Sequence, residues 1–311
     1  IKPMNCPFHI QIYKSRTRSY RDLPLRWAEL GTVYRYEKAG VLHGLLRVRG
    51  FTQDDAHLIC TPEQMPSEIK KVLNFSLYIL KSFGFNDFSI YLSTKPKGSI
   101  GPQKHWNEAT HALERAIQTS KLPYKIDKGG GAFYGPKIDI KVKDALDREW
   151  QCSTIQFDFN MPEKFQMKYT DKNGEQQQPY MIHRALMGSL ERFFGALIEN
   201  YAGAFPFWLM PIQIKLLPVT DKFSPFAYKL KDKLENEGLR VEVDDSNETI
   251  SKRIRNAEVE KIPYIIVLGQ KELESGNLPI RERGSKEIKL ISPEAFIELC
   301  KNQIPIPQKI Q

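Results

Sequence analysis

The chain has 311 residues, of which 41% are hydrophobic and 11% aromatic, so it is globular and long enough for one large or two ordinary domains. Its net charge is +9. Residues 211–311 hold 17 Lys and Arg against 16 Asp and Glu, so the basic excess lies in residues 1–210. This excess favours a polyanionic partner or simply a soluble surface. The four cysteines form no C-x-x-C pair, which argues against a disulfide framework and a zinc ribbon. No apolar run approaches the ~20 residues that a membrane-spanning helix needs. We therefore predict a cytoplasmic protein.

The N-terminal segment starts at Ile1 without an initiator Met, so we expect a longer protein. Met4-Asn5-Cys6-Pro7 predicts an irregular start, followed by an apolar run. Cys6 by itself is more typical of a buried small hydrophobic residue than of a metal ligand. The next arginines suit either a phosphate-facing edge or ordinary solvation: Arg16, Arg18, Arg21 and Arg26.

The stretch from Ala28 to Asp55 predicts an antiparallel hairpin, because two runs of strand-forming residues flank a loop that contains glycine. Side chains two apart on a strand share a face. One face would therefore carry guanidinium, aromatic and carboxylate groups, which suit phosphate, a base and an amine: Arg35, Glu37, Arg47, Phe51, Gln53 and Asp55. An exposed edge hairpin with ordinary ion pairs is the alternative.

This hairpin resembles motif 2 of the class II aminoacyl-tRNA synthetases, which has Arg-x-Glu, a loop and Arg-x-x-x-Phe-x-x-x-Asp. The wider sequence is similar to the threonyl-tRNA synthetases. The similarity runs from Met4-Asn5-Cys6-Pro7 through residues 20–26 to Gly50-Phe51-Thr52-Gln53-Asp54-Asp55-Ala56-His57, and it continues to near the C-terminus.

Regular elements follow the hairpin. Thr61 is the expected N-cap of a helix with Pro62 at its first position, and the helix should end near Gly84. We predict three strands and one helix next: a strand at 88–93, a helix at 104–120, and strands at 138–142 and 150–159. The last strand would place Cys152, Thr154 and Gln156 on one face, either to bind a small polar ligand or as an exposed surface.

Two further stretches stand out in the first domain. Gly129-Gly130-Gly131 allows close approach to a ligand or forms a plain turn, with Tyr134 directly after it. Gly188 to Glu199 predicts a helix that carries Arg192, which by itself reads as an ordinary surface arginine. This helix resembles class II motif 3.

The second domain alternates strands and helices, which predicts a small α/β domain with a mainly parallel sheet. We expect strands at 212–218, 239–243, 264–268, 278–283 and 287–290, with helices at 224–238, 250–261 and 293–302. The fold class is therefore an α+β domain with an antiparallel sheet flanked by helices, followed by this α/β domain. We place the first at residues 1–206 and the second at 211–311.

The resemblance implies the function of each region. Residues 1–206 would be a catalytic domain without motif 1, and residues 211–311 an anticodon-binding domain. The activity would be ATP-dependent activation of L-threonine and its transfer to tRNA(Thr), by a homodimer. ATP with Mg²⁺ would be held by Arg35, Glu37, Arg47, Phe51 and Arg192, of which Arg35 and Arg192 act in catalysis.

The resemblance also implies one zinc ion per chain, held by Cys6, His57 and His183. Without it, both histidines read as satisfied core residues. The threonine pocket would be lined by Gln53, Asp55, Tyr134, Gln151 and Gln156. Anticodon contacts would come from Asn247, Glu272, Arg281 and Arg283. Two positions depart from the family: Phe8 replaces a glycine, and Lys261 replaces an arginine, which a lysine cannot match as a forked donor.

Two alternatives stay open at the level of the sequence. One is a catalytically inactive or regulatory synthetase-like protein that binds tRNA, which loss of the motif arginines would indicate. The other is a class II synthetase for another amino acid, such as proline or serine, which the Cys6, His57 and His183 set argues against.

Overall fold

The computed structural model describes residues 1–143 and 146–305, and within them the chain divides into two compact units. The first unit is Ile1–Asn200, and the second begins at Tyr201. In the described residues, no helix has the length and apolarity needed to cross a membrane.

The first unit is built from helices and a large sheet. Its helices are α1 (Cys6–Lys14), α2 (Met65–Ser82), α3 (Gln103–Thr119), α4 (Asn160–Lys164) and α5 (Leu190–Tyr201). Its strands are β1 (Leu25–Tyr34), β2 (Gly50–Cys60), β3 (Phe88–Ser93), β4 (Lys125–Asp127), β5 (Lys137–Lys143), β6 (Glu149–Asp158), β7 (Tyr169–Thr170), β8 (Gln176–Gln177) and β9 (Tyr180–Ser189).

Among the described residues, seven strands of this unit form one sheet in the order β1-β2-β9-β6-β5-β3-β4. Neighbouring strands are antiparallel except β3 and β4, and β7 pairs separately with β8. The register of the three central strands sets His57 opposite His183 and His183 opposite Gln156. Residues far apart in sequence thus meet in one row across the sheet.

The two faces of this sheet differ. Helices α2 and α3 pack against the central and outer strands. The guanidinium of Arg184 on β9 lies over the ring of Phe75 on α2, 5.5 Å from its centroid, so Arg184 points to the helical side. Because successive strand residues alternate, His183 points to the other face. Helix α1 covers part of that other face with Ile10 and Tyr13, in a cluster with Ile59.

Helix α1 contradicts the expected irregular start. It begins at Cys6, with Pro7 in its first turn, where the missing proline N–H costs no hydrogen bond. Its buried residues are Cys6, His9, Ile10 and Tyr13, which is helical spacing. Arg18 is buried and donates to the carbonyls of Ile12 and Tyr13 at the end of α1, so it caps a helix rather than facing a phosphate.

The predicted hairpin forms, but the loop between its strands is longer than expected, because both strands are displaced away from it. Strand β1 ends at Tyr34 and β2 begins at Gly50, paired antiparallel. The loop is held by backbone bonds from Arg35 N to Arg49 O (2.8 Å) and from His43 N to Arg47 O (3.1 Å). The loop, and not the strands, therefore carries Arg35, Glu37 and Arg47. The reason is that the backbone groups here bond within the loop and not to a neighbouring strand of the sheet.

Other boundaries agree with the sequence or shift slightly. Strand β3 has the predicted bounds, and α3, β5 and β6 differ by one residue at each end. Thr61 is not the N-cap of α2: residues 61–64 form a turn, with Gln64 N and Met65 N both bonded to Thr61 O, and the helix begins at Met65. Gly84 follows the helix with φ 86°, as its predicted end requires.

The predicted helix at Gly188 begins two residues later, at Leu190, because Gly188 and Ser189 still belong to β9. Buried Asp54 holds this strand end. Its carboxylate accepts the backbone N–H groups of Leu186 (2.8 Å), Met187 (3.1 Å) and Gly188 (2.9 Å). The β2–β9 register shifts between Gln53 and Asp55, and Asp54 satisfies donors that this irregularity leaves without strand partners.

Replacing Asp54 with alanine is expected to destabilise the first unit, because three buried donors lose their acceptor. The cost should be about 2 kcal/mol or more, which lowers the Tm by roughly 4–8 °C. Thermal unfolding followed by circular dichroism measures it. Asp54→Asn keeps one acceptor oxygen and should cost less. Equal, small shifts in both variants would contradict this role for the carboxylate.

The second unit contains helices α6 (Ser224–Glu235), α7 (Ile250–Val259), α8 (Gln270–Ser275) and α9 (Pro293–Lys301). Its strands are β10 (Ile214–Pro218), β11 (Val241–Val243), β12 (Tyr264–Leu268), β13 (Leu278–Glu282) and β14 (Ile288–Ile291). All the predicted elements are present within three residues at each end, and α8 is additional.

The described strands of this unit are ordered β11-β10-β12-β13-β14. The first three are parallel, and β13 and β14 are antiparallel. The fold class predicted from the sequence is confirmed, but this sheet is mixed. The short turn between β13 and β14 allows only an antiparallel pair, since a parallel one needs a long crossover.

Candidate active site and metal cluster

Cys6, His57 and His183 meet in one buried cluster. Cys6 is the first residue of α1, and the histidines are register partners on β2 and β9. Their candidate ligand atoms all lie within 4.8 Å of one another, and Cys6 Sγ is 3.3 Å from His183 Nδ1. A thiolate and two imidazoles in this arrangement are ligands that Zn²⁺ accepts, with coordination left for a substrate.

The two imidazoles of the cluster have different electrostatic environments. Burial lowers the pKa of His183, but the charge interaction with Cys6 and the hydrogen bond to Asp158 outweigh it, so that pKa lies well above its usual value. Nε2 of His183 is 2.8 Å from Asp158 Oδ2. Burial and the His183 and His9 rings hold the pKa of His57 well below its usual value, so His57 is neutral.

Nε2 of His57 has an unusual environment. It is buried, and among the described residues it has no hydrogen-bond partner; the nearest carboxylate oxygen, Asp55 Oδ1, is 3.8 Å away. A buried polar atom without a partner is costly in a protein interior. A metal ion bound to Nε2 would satisfy it, so the donor set fits the ion that the sequence predicts.

A cavity of about 90 Å³ adjoins this cluster. Four of the five residues predicted to bind threonine line it: Gln53, Asp55, Tyr134 and Gln156. The Tyr134 hydroxyl donates to Gln156 Oε1 (2.7 Å), and Asn5 Nδ2 donates to Asp55 Oδ2 (3.1 Å). Burial raises the pKa of Tyr134 to about 12 and also raises the pKa of Asp55. The cavity can bind a small polar molecule.

A second cavity, of about 250 Å³, is lined by every residue predicted to hold ATP: Arg35, Glu37, Arg47, Phe51 and Arg192. The two cavities share the lining residues Arg35, Gln53, Thr154 and Ala185. A guanidinium thus lies where they join. This placement suits a reaction between a group bound in the small cavity and a phosphate bound in the large one.

Arg192 is held rigidly within the second cavity. Its Nε donates to Leu46 O (2.8 Å), its Nη1 donates to Gln151 O (3.1 Å), and its guanidinium lies 5.8 Å from the centroid of the Trp150 ring. Burial lowers the pKa of Arg192. The imidazole of His43 stacks on the same Trp150 ring, with an interplanar angle of 1°. His43 belongs to the same loop as Arg47, so this contact ties the loop to β6.

Strand β6 differs from the predicted alternation. Its pairing with β5 shifts between Ile140 and Lys141, and Cys152 is the extra residue. The bulge brings Gln151 beside Thr154: Gln151 Nε2 donates to Thr154 Oγ1 (2.5 Å) and to Asp139 Oδ1 (2.7 Å). Gln151 consequently lines the larger cavity and not the small one. Of the three residues expected on one face of this strand, Cys152 and Thr154 line the larger cavity, and Thr154 and Gln156 line the small one.

Comparison with known proteins agrees with this geometry. The family model described as tRNA synthetase class II core domain (G, H, P, S and T) matches residues 1–201, and the anticodon binding domain model matches residues 209–303. The solved RNA binding domain of threonyl-tRNA synthetase from Cryptosporidium parvum Iowa II is 39% identical, with a TM-score of 0.93, over 100% of this chain and 78% of that one. The chain belongs to the threonyl-tRNA synthetase family.

Curated members of this family are closer in sequence. The threonine–tRNA ligase of Sulfurihydrogenibium sp. (strain YO3AOP1) is 55% identical, over 98% of this chain and 47% of the relative. That of Aquifex aeolicus (strain VF5) is 53% identical, over 98% and 48%. The chain therefore spans about half the length of the curated relatives it matches. The resemblance predicted from the sequence is confirmed.

The four residues predicted to read the anticodon lie in the second unit of the chain. Asn247 is exposed after β11, and Arg281 is on β13 opposite Ile265. Glu272 accepts the N–H of Gly269 (2.9 Å) at the start of α8. Arg283 donates to the carbonyls of Lys261 and Phe205, both at 2.7 Å, so its guanidinium supports backbone turns. Lys261 itself has φ 61°.

The sequence did not reveal several residues that support the candidate site. Asp158 orients His183, Asn5 binds Asp55, and Trp150 packs on Arg192. Nδ1 of His9 lies 2.6 Å from Nδ1 of His57. The helical spacing of Cys6, His9, Ile10 and Tyr13 was a usable signal for His9. The other three depend on pairings between distant segments, which no local pattern shows.

Proposed function

We propose that this chain is the catalytic and anticodon-binding part of an enzyme that activates L-threonine with ATP and transfers it to tRNA(Thr). The observation that carries the proposal is the junction of the two cavities at Arg35. The small cavity has a metal-ligand cluster beside Asp55, and the large one has three arginines and Phe51. Family membership supports the same reaction.

The first step is attack by the threonine carboxylate on the α-phosphorus of ATP, with pyrophosphate as the leaving group. It needs no side-chain nucleophile, so catalysis consists of positioning and charge neutralisation. Arg35 would hold the α-phosphate and the carboxylate. Arg47 and Arg192 would hold the γ-phosphate, while Phe51 and Arg192 enclose the adenine and Glu37 accepts its amino group. Mg²⁺ would accompany ATP, bound mostly through water.

Zinc is the ion we propose for the cluster, with Cys6, His57 and His183 as its ligands. The unpartnered Nε2 of His57 and the thiol beside His183 support this choice. When bound, zinc would supply open coordination for the threonine amine and hydroxyl. Asp55 would accept a hydrogen bond from the hydroxyl, and Gln53, Tyr134 and Gln156 would line the pocket. Gln151 would reach the substrate only from the ATP side.

Threonine-dependent exchange of pyrophosphate into ATP tests the proposal. We expect exchange with threonine, much less with serine, and none above background with valine or proline. Binding of tRNA without any amino-acid-dependent exchange would instead indicate an inactive synthetase-like protein. Exchange that depends on proline or serine, and not on threonine, would assign the chain to another specificity.

Replacing Arg281 with alanine should weaken charging of tRNA(Thr) and spare threonine activation. The residue belongs to the second unit, whereas the cavities belong to the first. Guanidinium groups suit base edges in unpaired loops, and the loss of one contact should cost about 1–3 kcal/mol, or roughly 5- to 150-fold in kcat/KM for tRNA. Charging and exchange assays on one preparation give both values. An equal loss in both would show that Arg281 is structural.

We also propose a cytoplasmic homodimer. Strand β1 is at the edge of the sheet and exposes Leu30 and Tyr34, with 68% and 51% of their surface accessible. The four cysteines are free and buried, as a reducing compartment allows. Sedimentation equilibrium measures the assembly, and a monomer at micromolar concentration would contradict the dimer.

A further inference from the structure

A chain of three side chains extends from the cluster toward the surface. His57 is fully buried, and its Nδ1 is 2.6 Å from Nδ1 of His9, which is 6% exposed. Nε2 of His9 is 3.5 Å from Oε1 of Glu29, whose side chain is 33% exposed. The two imidazoles are almost perpendicular, at 85°, and Trp27 contacts His9 by its edge. The order is therefore Glu29, His9, His57.

Hydrogen-bond rules determine the tautomers along this chain. A neutral imidazole has one N–H donor and one acceptor nitrogen. The Glu29 carboxylate only accepts, so it favours the proton of His9 on Nε2 and leaves His9 Nδ1 as an acceptor. His57 must then carry its own proton on Nδ1. Its Nε2 is left with a lone pair.

The opposite arrangement is unfavourable at both ends. If His9 carried its proton on Nδ1, its Nε2 lone pair would face the Glu29 carboxylate. His57 would then carry its proton on Nε2, where the nearest acceptor, Asp55 Oδ1, is 3.8 Å away. A buried N–H without an acceptor costs about 1–3 kcal/mol. Through His9, Glu29 thus favours the tautomer of His57 that carries its proton on Nδ1.

We infer that His9 and Glu29 are positioning residues for the metal cluster: they hold His57 in the tautomer that leaves the lone pair on Nε2, the buried nitrogen without a hydrogen-bond partner among the described residues. This inference rests on the proposed metal site. Partners of this kind orient a ligand and raise its basicity, and their loss typically weakens metal binding about 10- to 100-fold. The matching partner of His183 is Asp158, which is bonded to it directly.

Zinc affinity is the first test, measured by competition with a chelating dye. His9→Phe and Glu29→Met should each weaken zinc binding about 10- to 100-fold. His9→Asn should bind nearly as well as the wild type, because its amide oxygen takes the place of Nδ1 and accepts from His57. The matched control is His111→Phe, which removes a histidine from a surface pair with Glu114 on α3. It should leave the affinity unchanged.

A double variant separates this role from a general effect of Glu29 on packing. In the His9→Asn background the amide accepts from His57 whatever Glu29 does. Adding Glu29→Met should therefore have little further effect on zinc affinity, although it is damaging in the wild type. Equal losses in both backgrounds would overturn the inference, as would wild-type affinity in His9→Phe.

The tautomer can be read without any metal. Nitrogen-15 NMR of histidine-labelled, metal-free protein should show an unprotonated Nε2 and a protonated Nδ1 on His57. Glu29→Met should shift His57 toward the Nε2–H form, and an unchanged spectrum would overturn the inference. A wild-type protein that binds no zinc but shows these tautomers would overturn the proposed metal site alone, so the two failures are distinguishable.

Discussion

Replacing Arg35 with alanine is expected to reduce threonine-dependent pyrophosphate exchange by at least about 10²–10³-fold, the usual loss when one preorganised donor to a developing charge is removed. Arg35 lines both cavities, and its guanidinium lies 5.3 Å from the centroid of the Phe51 ring. It is the charged residue common to both, so the carboxylate and the α-phosphate would both lose their cation. Exchange assays with varied ATP and threonine measure kcat and KM.

The fold should survive this change, because Arg35 is exposed. The hydrogen bond from its Nε to the carbonyl of Pro3 (3.2 Å) is also exposed, so its loss should cost little. An unchanged Tm would support that. Arg21→Ala is the matched control, since Arg21 is also exposed and lines neither cavity. Arg35→Lys should recover only part of the activity, because an ammonium group lacks the forked donors. Full exchange activity in Arg35→Ala would reject the proposed role of this hairpin.

Local patterns predicted the elements of the site better than its assembly. Alternation on β2 correctly placed Gln53 and Asp55 together, and both line the small cavity. The row of His57, His183 and Gln156 depends on two strand registers between distant segments. No periodicity reports a register of that kind. Only the resemblance to a family joined these residues in the sequence.

The loop and the bulges show where pattern reasoning fails for physical reasons. Residues 35–49 contain strand-forming side chains, but their backbone groups bond within the loop, which moves Glu37 and Arg47 off the sheet. An extra residue at Cys152 changes the face of every side chain before it, and sequence alternation assumes that no such residue exists. Arg283 stays a predicted base-reading residue, and its bonds to the carbonyls of Lys261 and Phe205 are contacts that composition cannot reveal.

Removal of one cluster residue, in Cys6→Ala or His183→Ala, is expected to abolish both zinc binding and threonine activation. The cluster would be needed because the site must distinguish threonine from valine, which has the size of threonine and lacks its hydroxyl. A hydrophobic pocket separates such a pair only about 10²-fold. A site that binds the hydroxyl separates them further, since valine would leave the cluster and Asp55 without a partner.

Serine tests the same reasoning from the other side. It has the amine and the hydroxyl, and it lacks one methyl group, which is worth only about 1–3 kcal/mol. We therefore expect serine to be activated about 10- to 200-fold less well than threonine, and valine far less than serine. Elemental analysis and exchange assays with the three amino acids measure these values.

Cys60→Ala is the matched control for the loss of a buried thiol. Cys60 is on β2 with His57, is fully buried and lies outside the cluster, and burial raises its pKa to about 12, so its thiol is uncharged. This variant should keep its zinc and still reject valine. A metal-free protein that rejects valine, or a zinc-loaded protein that activates valine as well as threonine, would refute the proposed basis of specificity.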